Sequence, residues 1–234
     1  MFGGGYLLYI IISLPALLLG LWAQTKIKTS FAKYSRVRTT TGMTGAEVAR
    51  RMLDQNGLSN VRIEQVAGNL TDHYDPGKKV LRLSQGVYNS PSIAAAGVVA
   101  HESGHAVQDK QKYGPLKIRS IMVPSVQIGS WLGPIIFIIG LMLNTQSGYT
   151  MAVVGLILFS ATAIFALVTL PVEFNASQRA KEWLSSSGII YNSEMEGVHK
   201  VLDSAALTYV AAAAQSISTI LYYALLLTGR SRDN

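Results

Sequence analysis

The chain has 234 residues, of which 49% are hydrophobic and only 14% charged, with a mean hydropathy of +0.29. Soluble domains carry roughly a quarter charged residues, so this composition argues against an ordinary soluble globule and for a membrane protein. The net charge of +7 reads as membrane topology and not as a nucleic-acid footprint. With no cysteine in the chain, disulfides and thiolate metal sites are excluded, and any transition-metal site must use His, Asp or Glu.

Residues 1–23 carry no charge, and Tyr6 to Ala23 is long enough to cross a bilayer. The segment lacks a basic leader and is followed by a basic cluster, which favours a first span over a signal peptide, with Pro15 expected to kink it. A soluble region follows over about 24–119. Within it "MTGAEVARRMLDQNG" predicts a helix, opened by a Thr44–Glu47 capping box and stopped at Gly57. "VRIEQVAG" alternates like a strand, and "LTDHYDPGKKVLRLS" predicts a hairpin turning at Asp75-Pro76-Gly77. "NSPSIAAAG" opens a further helix, with Ser90 as cap, Pro91 in the first position and Gly114-Pro115 as its end.

From Ser120 to Val172 there are 53 residues without a charge, interrupted by "NTQSGY" at 144–149. This predicts a transmembrane hairpin over 120–171, with spans at about 121–143 and 150–171. A second soluble segment, 172–203, reads as helical to about Gly188. The uncharged run 204–229 is expected to form a fourth span whose Gln215, Ser216, Ser218 and Thr219 face other helices, leaving a tail at 230–234.

The polar cluster in "VVAHESGHAVQ" carries the chemistry. His101 and His105, two of only four histidines, lie one turn apart on one helical face. Two imidazole nitrogens so placed can bind one zinc ion. Glu102 is angled too far round to be an ideal third ligand, but it can reach a water activated by the metal and take its proton. The competing reading is a core helix with hydrogen-bonded histidines. Against it, a glutamate with two histidines on an apolar helix is costly without an ion. Gly104, mid-helix, costs about 1 kcal/mol and so marks a close approach. Gln108 and Gln111 stand where a metzincin would carry Gly and His, which excludes that class.

A third ligand must come from elsewhere, and Glu173, Glu182, Glu194, Glu196, His199 and Asp203 are candidates, with His73 more remote. Glu173 is favoured because it is the first charge after the apolar hairpin, on the same helical side as the small Ala176 and Ala180. It can equally be an acid opening a helix after Pro171.

"VVAHESGHAVQ" together with "LPVEFNASQRA" resembles the YugP-like neutral zinc metallopeptidases of bacterial membranes. The resemblance extends over nearly the whole chain, including "DHYDPGKKVLRLS" and "AALTYVAAA". It implies a zinc-dependent peptidase of gluzincin type holding one Zn2+ ion through His101, His105 and Glu173, with Glu102 as general base. The chain is also distantly similar to HtpX-like membrane proteases, in which H-E-x-x-H is followed, after two spans, by E-x-x-A-D. Here Glu173-Phe174-Asn175-Ala176-Ser177 matches except that serine replaces the aspartate expected to orient a ligand histidine. That resemblance leaves Ser177 or Asn175 to supply a neutral version of the role. It also suggests that an extended substrate pairs with the strand Val80, Leu81, Arg82, Leu83, Ser84, which otherwise is an ordinary edge strand. Tyr191, His199 and Tyr209 are the candidates for oxyanion stabilisation, and His73 is expected to make a structural hydrogen bond.

The resulting expectation is a mainly α, multi-span helical membrane protein with about four spans and a small α+β zincin-like part on one side. Its expected activity is zinc-dependent endopeptidase cleavage of membrane or misfolded polypeptides. The alternatives are a non-catalytic zinc-containing membrane adaptor, which would not need Glu102, and a metal transporter, disfavoured because the histidines precede the apolar run. Fifteen lysines and arginines lie between the first two spans, and none in residues 1–23 or 144–149. The positive-inside rule then places the N-terminus outside and the site in the cytoplasm of a bacterial cell.

Overall fold

The computed structural model describes residues 2–143 and 145–230, so that Asn144 and the expected tail beyond Arg230 lie outside the described residues. The protein is mainly α-helical, with four helices long and apolar enough to cross a membrane and one three-stranded sheet among the described residues. The chain forms two compact units, one of Met1–Trp22, Ile118–Leu170 and Tyr209–Asn234, the other of Ala23–Lys117 and Pro171–Thr208.

The first unit contains the apolar parts of four long helices: α1 (Phe2–Tyr34), α5 (Gly114–Met142), α6 (Gln146–Ser186) and α7 (Asn192–Arg230). Its outward positions carry Ile11, Leu18, Ile121, Trp131, Ile157 and Leu221, all exposed. A surface of this kind is a liability in water and ordinary in lipid. Inside the unit, a β-carbon at Gly133 would lie 2.8 Å from the Phe159 nitrogen and 3.0 Å from the Gly155 carbonyl oxygen, so only glycine allows α5 and α6 to approach this closely. Phe137 stacks on Tyr223 with ring centroids 4.1 Å apart, and the Ser218 hydroxyl donates to the Ile12 carbonyl at 2.6 Å. The turn expected over 144–149 is shorter than its polar run, since α6 already begins at Gln146.

The second unit holds α2 (Gly45–Gln55), β1 (Arg62–Val66), β2 (His73–Asp75), β3 (Val80–Ser84), α3 (Gln85–Tyr88) and α4 (Ile93–Lys110), with the polar ends of the long helices. Thr44 and Glu47 make the reciprocal capping box at the start of α2. The helix then buries Val48, Ala49, Met52 and Leu53 along one stripe, and the chain reverses at Gly57, whose φ is +63°. The hairpin of β2 and β3 forms as its turn residues predict, with His73 opposite Arg82.

Two local expectations need correction. The cap of α4 is Ser92, whose hydroxyl accepts from the Ala95 N–H at 3.2 Å, and not Ser90. Ser92 is extended, bridging Arg38, and the Pro91 carbonyl accepts from the Thr39 N–H at 2.9 Å, which delays the helix. At its other end α4 stops at Lys110, because Lys112 takes a left-handed conformation with φ 54°; Gly114-Pro115 opens α5 instead.

A larger correction concerns Val80–Ser84. The strand order is β1-β3-β2, with β1 parallel to β3 and β2 antiparallel to it, so Val80–Ser84 is the central strand. Both its edges are hydrogen-bonded, and Val80, Leu81, Leu83 and Ser84 are buried. A substrate strand cannot add to it, and that expected role is withdrawn.

Candidate metal centre

Helix α4 owes its shape to small residues. Ala94, Ala95, Ala96, Gly97, Val99 and Ala100 are buried in its first half, where it packs against α2, α3 and the sheet. One turn further on, a β-carbon at Gly104 would sit 2.9 Å from the Ala176 carbonyl oxygen and 3.3 Å from its Cα. The missing side chain lets α4 touch the backbone of α6, and that contact delivers Glu173 to the two histidines.

The Nε2 atoms of His101 and His105 lie 3.2 and 3.7 Å from the same oxygen of Glu173, Oε2. Glu173 is only 1% exposed and His105 only 8%. Each ring is held from behind: the Ser177 hydroxyl is 3.0 Å from His101 Nδ1, and Gln108 Oε1 is 3.0 Å from His105 Nδ1. The Nε2 atoms are therefore the ones left to face the carboxylate.

The arrangement passes a test of fit for a metal ion. One donor atom from each of His101, His105 and Glu173 lies within 4.8 Å of the others. Ligand atoms around one tetrahedral zinc at about 2.0–2.1 Å stand roughly 3.3–3.4 Å from each other. The two measured nitrogen–oxygen separations, 3.2 and 3.7 Å, bracket that value. A set of two imidazoles and a carboxylate is also a donor combination zinc accepts. Glu102 follows His101 on the same helix and is half-buried. Burial pushes its carboxyl above the ordinary carboxylate range, against the pull of His101 and His105.

Of the other acids and histidines considered as third ligand, none joins this group among the described residues. Glu182 accepts from Gln178, Glu196 pairs with Lys200 and Asp203 with Lys181. Glu194 caps the start of α7 and accepts from Thr40. His73 is exposed and bonded to the Thr71 carbonyl. Tyr191 and His199 are exposed, and Tyr209 belongs to the first unit. Between the two candidates for orienting a histidine, Ser177 meets His101 directly, whereas Asn175 meets neither ring and bonds Gln108 instead. Gln108 itself was not expected at the site. Its signal was a large polar side chain three residues after His105, directly after the apolar Ala106 and Val107.

Residues 9–228 match the family described as "Putative neutral zinc metallopeptidase". The chain belongs to this family. It is 48% identical over 228 residues to the "Putative membrane protease YugP" of Bacillus subtilis (strain 168), a match covering 97% of this chain and 100% of that relative. No solved structure matches the chain. The zinc in the metallopeptidase family's description thus meets, in this member, a buried His-His-Glu group able to hold a metal ion.

Proposed function

We propose that the protein is an integral-membrane zinc endopeptidase of gluzincin type that hydrolyses peptide bonds in membrane or misfolded proteins. The observation carrying this reading is the convergence of His101 and His105 on one oxygen of the buried Glu173, with Glu102 alongside. In this reading His101, His105 and Glu173 hold one zinc ion and leave a fourth position open. Bound zinc supplies Lewis acidity, which acidifies a water and polarises the peptide carbonyl. Glu102 takes a proton from the water that attacks the carbonyl carbon. It passes that proton to the amine nitrogen as the C–N bond breaks, giving a carboxylic acid and an amine. Ser177 steadies the His101 ring from the side away from Glu173. We assign the oxyanion role to none of Tyr191, His199 and Tyr209.

The relative's name as a membrane protease and the four apolar helices support a place in the bacterial cell membrane. The distribution of lysine and arginine supports an N-terminus outside and the site in the cytoplasm. Single cysteines in this cysteine-free chain test the orientation. An impermeant thiol reagent on intact cells is expected to label position 146 and spare position 55, and the reverse pattern overturns it.

The activity itself is tested on the purified full-length protein in detergent. One zinc per chain is expected, with cleavage of a denatured polypeptide that stops on chelation and returns with zinc. Stoichiometric zinc without cleavage of any denatured protein offered would replace this reading with the metal-holding adaptor.

A further inference from the structure

We infer that Gln108 is a positioning residue for His105: it fixes the imidazole so that Nδ1 carries the proton and Nε2 presents its lone pair to the metal-binding group, and it is itself locked by Val172, Asn175 and Arg179. The inference rests on the zinc reading above.

Gln108 is fully buried on α4. Its Nε2 lies 2.9 Å from the Val172 carbonyl oxygen and 2.9 Å from Asn175 Oδ1, and its Oε1 lies 3.0 Å from His105 Nδ1. The two ends of a carboxamide have the same shape, so its orientation must be deduced from its partners. Here the partners leave one solution. A backbone carbonyl only accepts, so the NH2 end of Gln108 has to face Val172. The other end is then oxygen, which only accepts, so His105 Nδ1 has to donate. The second carboxamide is fixed just as firmly. Arg179 Nε donates to Asn175 Oδ1 at 2.7 Å, and a guanidinium only donates, so the Asn175 oxygen faces inward. That same oxygen takes the second hydrogen of Gln108. An arginine at one end and a main-chain carbonyl at the other thus impose a single direction on the whole relay.

The consequence reaches the site. A neutral imidazole protonated on Nδ1 is a donor there and an acceptor or ligand at Nε2. His105 Nε2 is the atom turned to Glu173 Oε2. His101 lacks this constraint, because its Nδ1 meets the Ser177 hydroxyl, which can donate or accept. The two histidines are therefore supported unequally: one by a rotor, the other by a locked amide. Asn175, which stands two residues after Glu173 in sequence and bonds Gln108 and not a ring, gains a reason for being where it is.

The test uses the full-length protein in detergent micelles, with zinc affinity read by competition with a chromogenic chelator and ligand geometry by the visible spectrum of the cobalt(II) form. Gln108→Met keeps length and apolar bulk but removes the relay. It is expected to weaken zinc binding about 10–100-fold, the usual loss when a ligand's hydrogen-bonded support is removed, and to change the cobalt spectrum. Asn175→Ala is expected to do the same to a smaller degree. If Gln108→Met holds zinc within about threefold of the parent with an unchanged cobalt spectrum, the inference is wrong. Nitrogen-15 histidine NMR of the unmutated zinc-loaded protein decides the matter even if the variant fails to fold, and only four rings need assigning. A proton on His105 Nδ1 with zinc on Nε2 is expected, and zinc on Nδ1 overturns the inference. Zinc retained undiminished by His105→Ala would instead overturn the metal site itself, and the inference with it.

Discussion

The two units use one packing device for different ends. At Gly104, α4 meets the α6 backbone at Ala176; at Gly133, α5 meets α6 near Phe159 and Gly155. In each case a β-carbon would collide with main-chain atoms. The surroundings differ. Around the first crossing, Ser177, Gln108, Asn175 and Arg179 form hydrogen bonds that end on two histidine rings. Around the second lie Phe137 and Tyr223, stacked on each other. Close approach in the apolar unit gains packing, which is what holds helices together where lipid replaces water. Close approach in the site-bearing unit places donor atoms. Substitutions at the first crossing should therefore move zinc and proteolysis out of proportion to stability, and substitutions at the second should move stability alone.

The largest effect is expected from Glu173→Ala, which removes a proposed ligand from α6. Zinc content measured by atomic absorption should fall well below one per chain, and proteolysis should disappear with it. Undiminished, equally tight zinc would remove Glu173 from the site and break the contrast at its strongest point. Glu102→Gln comes next. It should leave zinc content unchanged and lower the cleavage rate about 10²–10⁴-fold, the range for a lost general base. A rate within about tenfold of the parent would reject Glu102 as the base while leaving the ligands standing.

The paired glycines put the comparison directly to the test. Gly104→Ala and Gly133→Ala each force a methyl group against backbone and should each cost about 1–3 kcal/mol, read from unfolding in detergent. Only Gly104→Ala should also weaken zinc, because the strain is relieved by moving α6 and with it Glu173. Equal zinc affinity in the two variants would mean that the Gly104 crossing is packing and nothing more.

What the sequence revealed, and what it hid, follows from the range of the interactions involved. The pairing of His101 with His105 is written in one turn of helix, and the capping box of Thr44 with Glu47 in four residues. Both were legible. So was the hairpin of β2 and β3, whose turn chemistry is local. The parallel partner of β3 was not, since β2 separates β1 from it in sequence and the pairing leaves no turn signature. The burial of Val80, Leu81, Leu83 and Ser84 shows a strand covered on both faces, and the break in alternation at Val80-Leu81 was the available hint. Ser90 lost the cap of α4 to Ser92 for the same kind of reason, because Thr39 reaches in from a distant segment and bonds the Pro91 carbonyl. At the site, Glu173 could be ranked as a candidate ligand from its place after the hairpin but not fixed, and the contact of Gln108 with His105 was not legible because it depends on a carbonyl and an asparagine more than sixty residues away.

The smallest expected effect separates the units with the mildest change, loss of one hydroxyl. Ser177 and Ser218 are both buried serines on long helices, and each places its oxygen on a partner from another helix. Ser177→Ala removes the group behind His101 Nδ1 and should weaken zinc about tenfold, toward the lower end for such support because a rotating hydroxyl restrains the ring less than a fixed amide. Ser218→Ala removes a bond to the Ile12 carbonyl between two membrane helices. Hydrogen bonds of that kind average only about 0.6 kcal/mol, since the separated helices find other partners. The Ser218 variant should therefore unfold slightly earlier in detergent and keep both its zinc affinity and its cleavage rate. Chelator competition and a thermal melt on the two proteins side by side read both quantities. A loss of zinc affinity in Ser218→Ala matching that in Ser177→Ala would mean that the apolar unit also sets the geometry of the metal centre, and the division of labour drawn between the two crossings would fail.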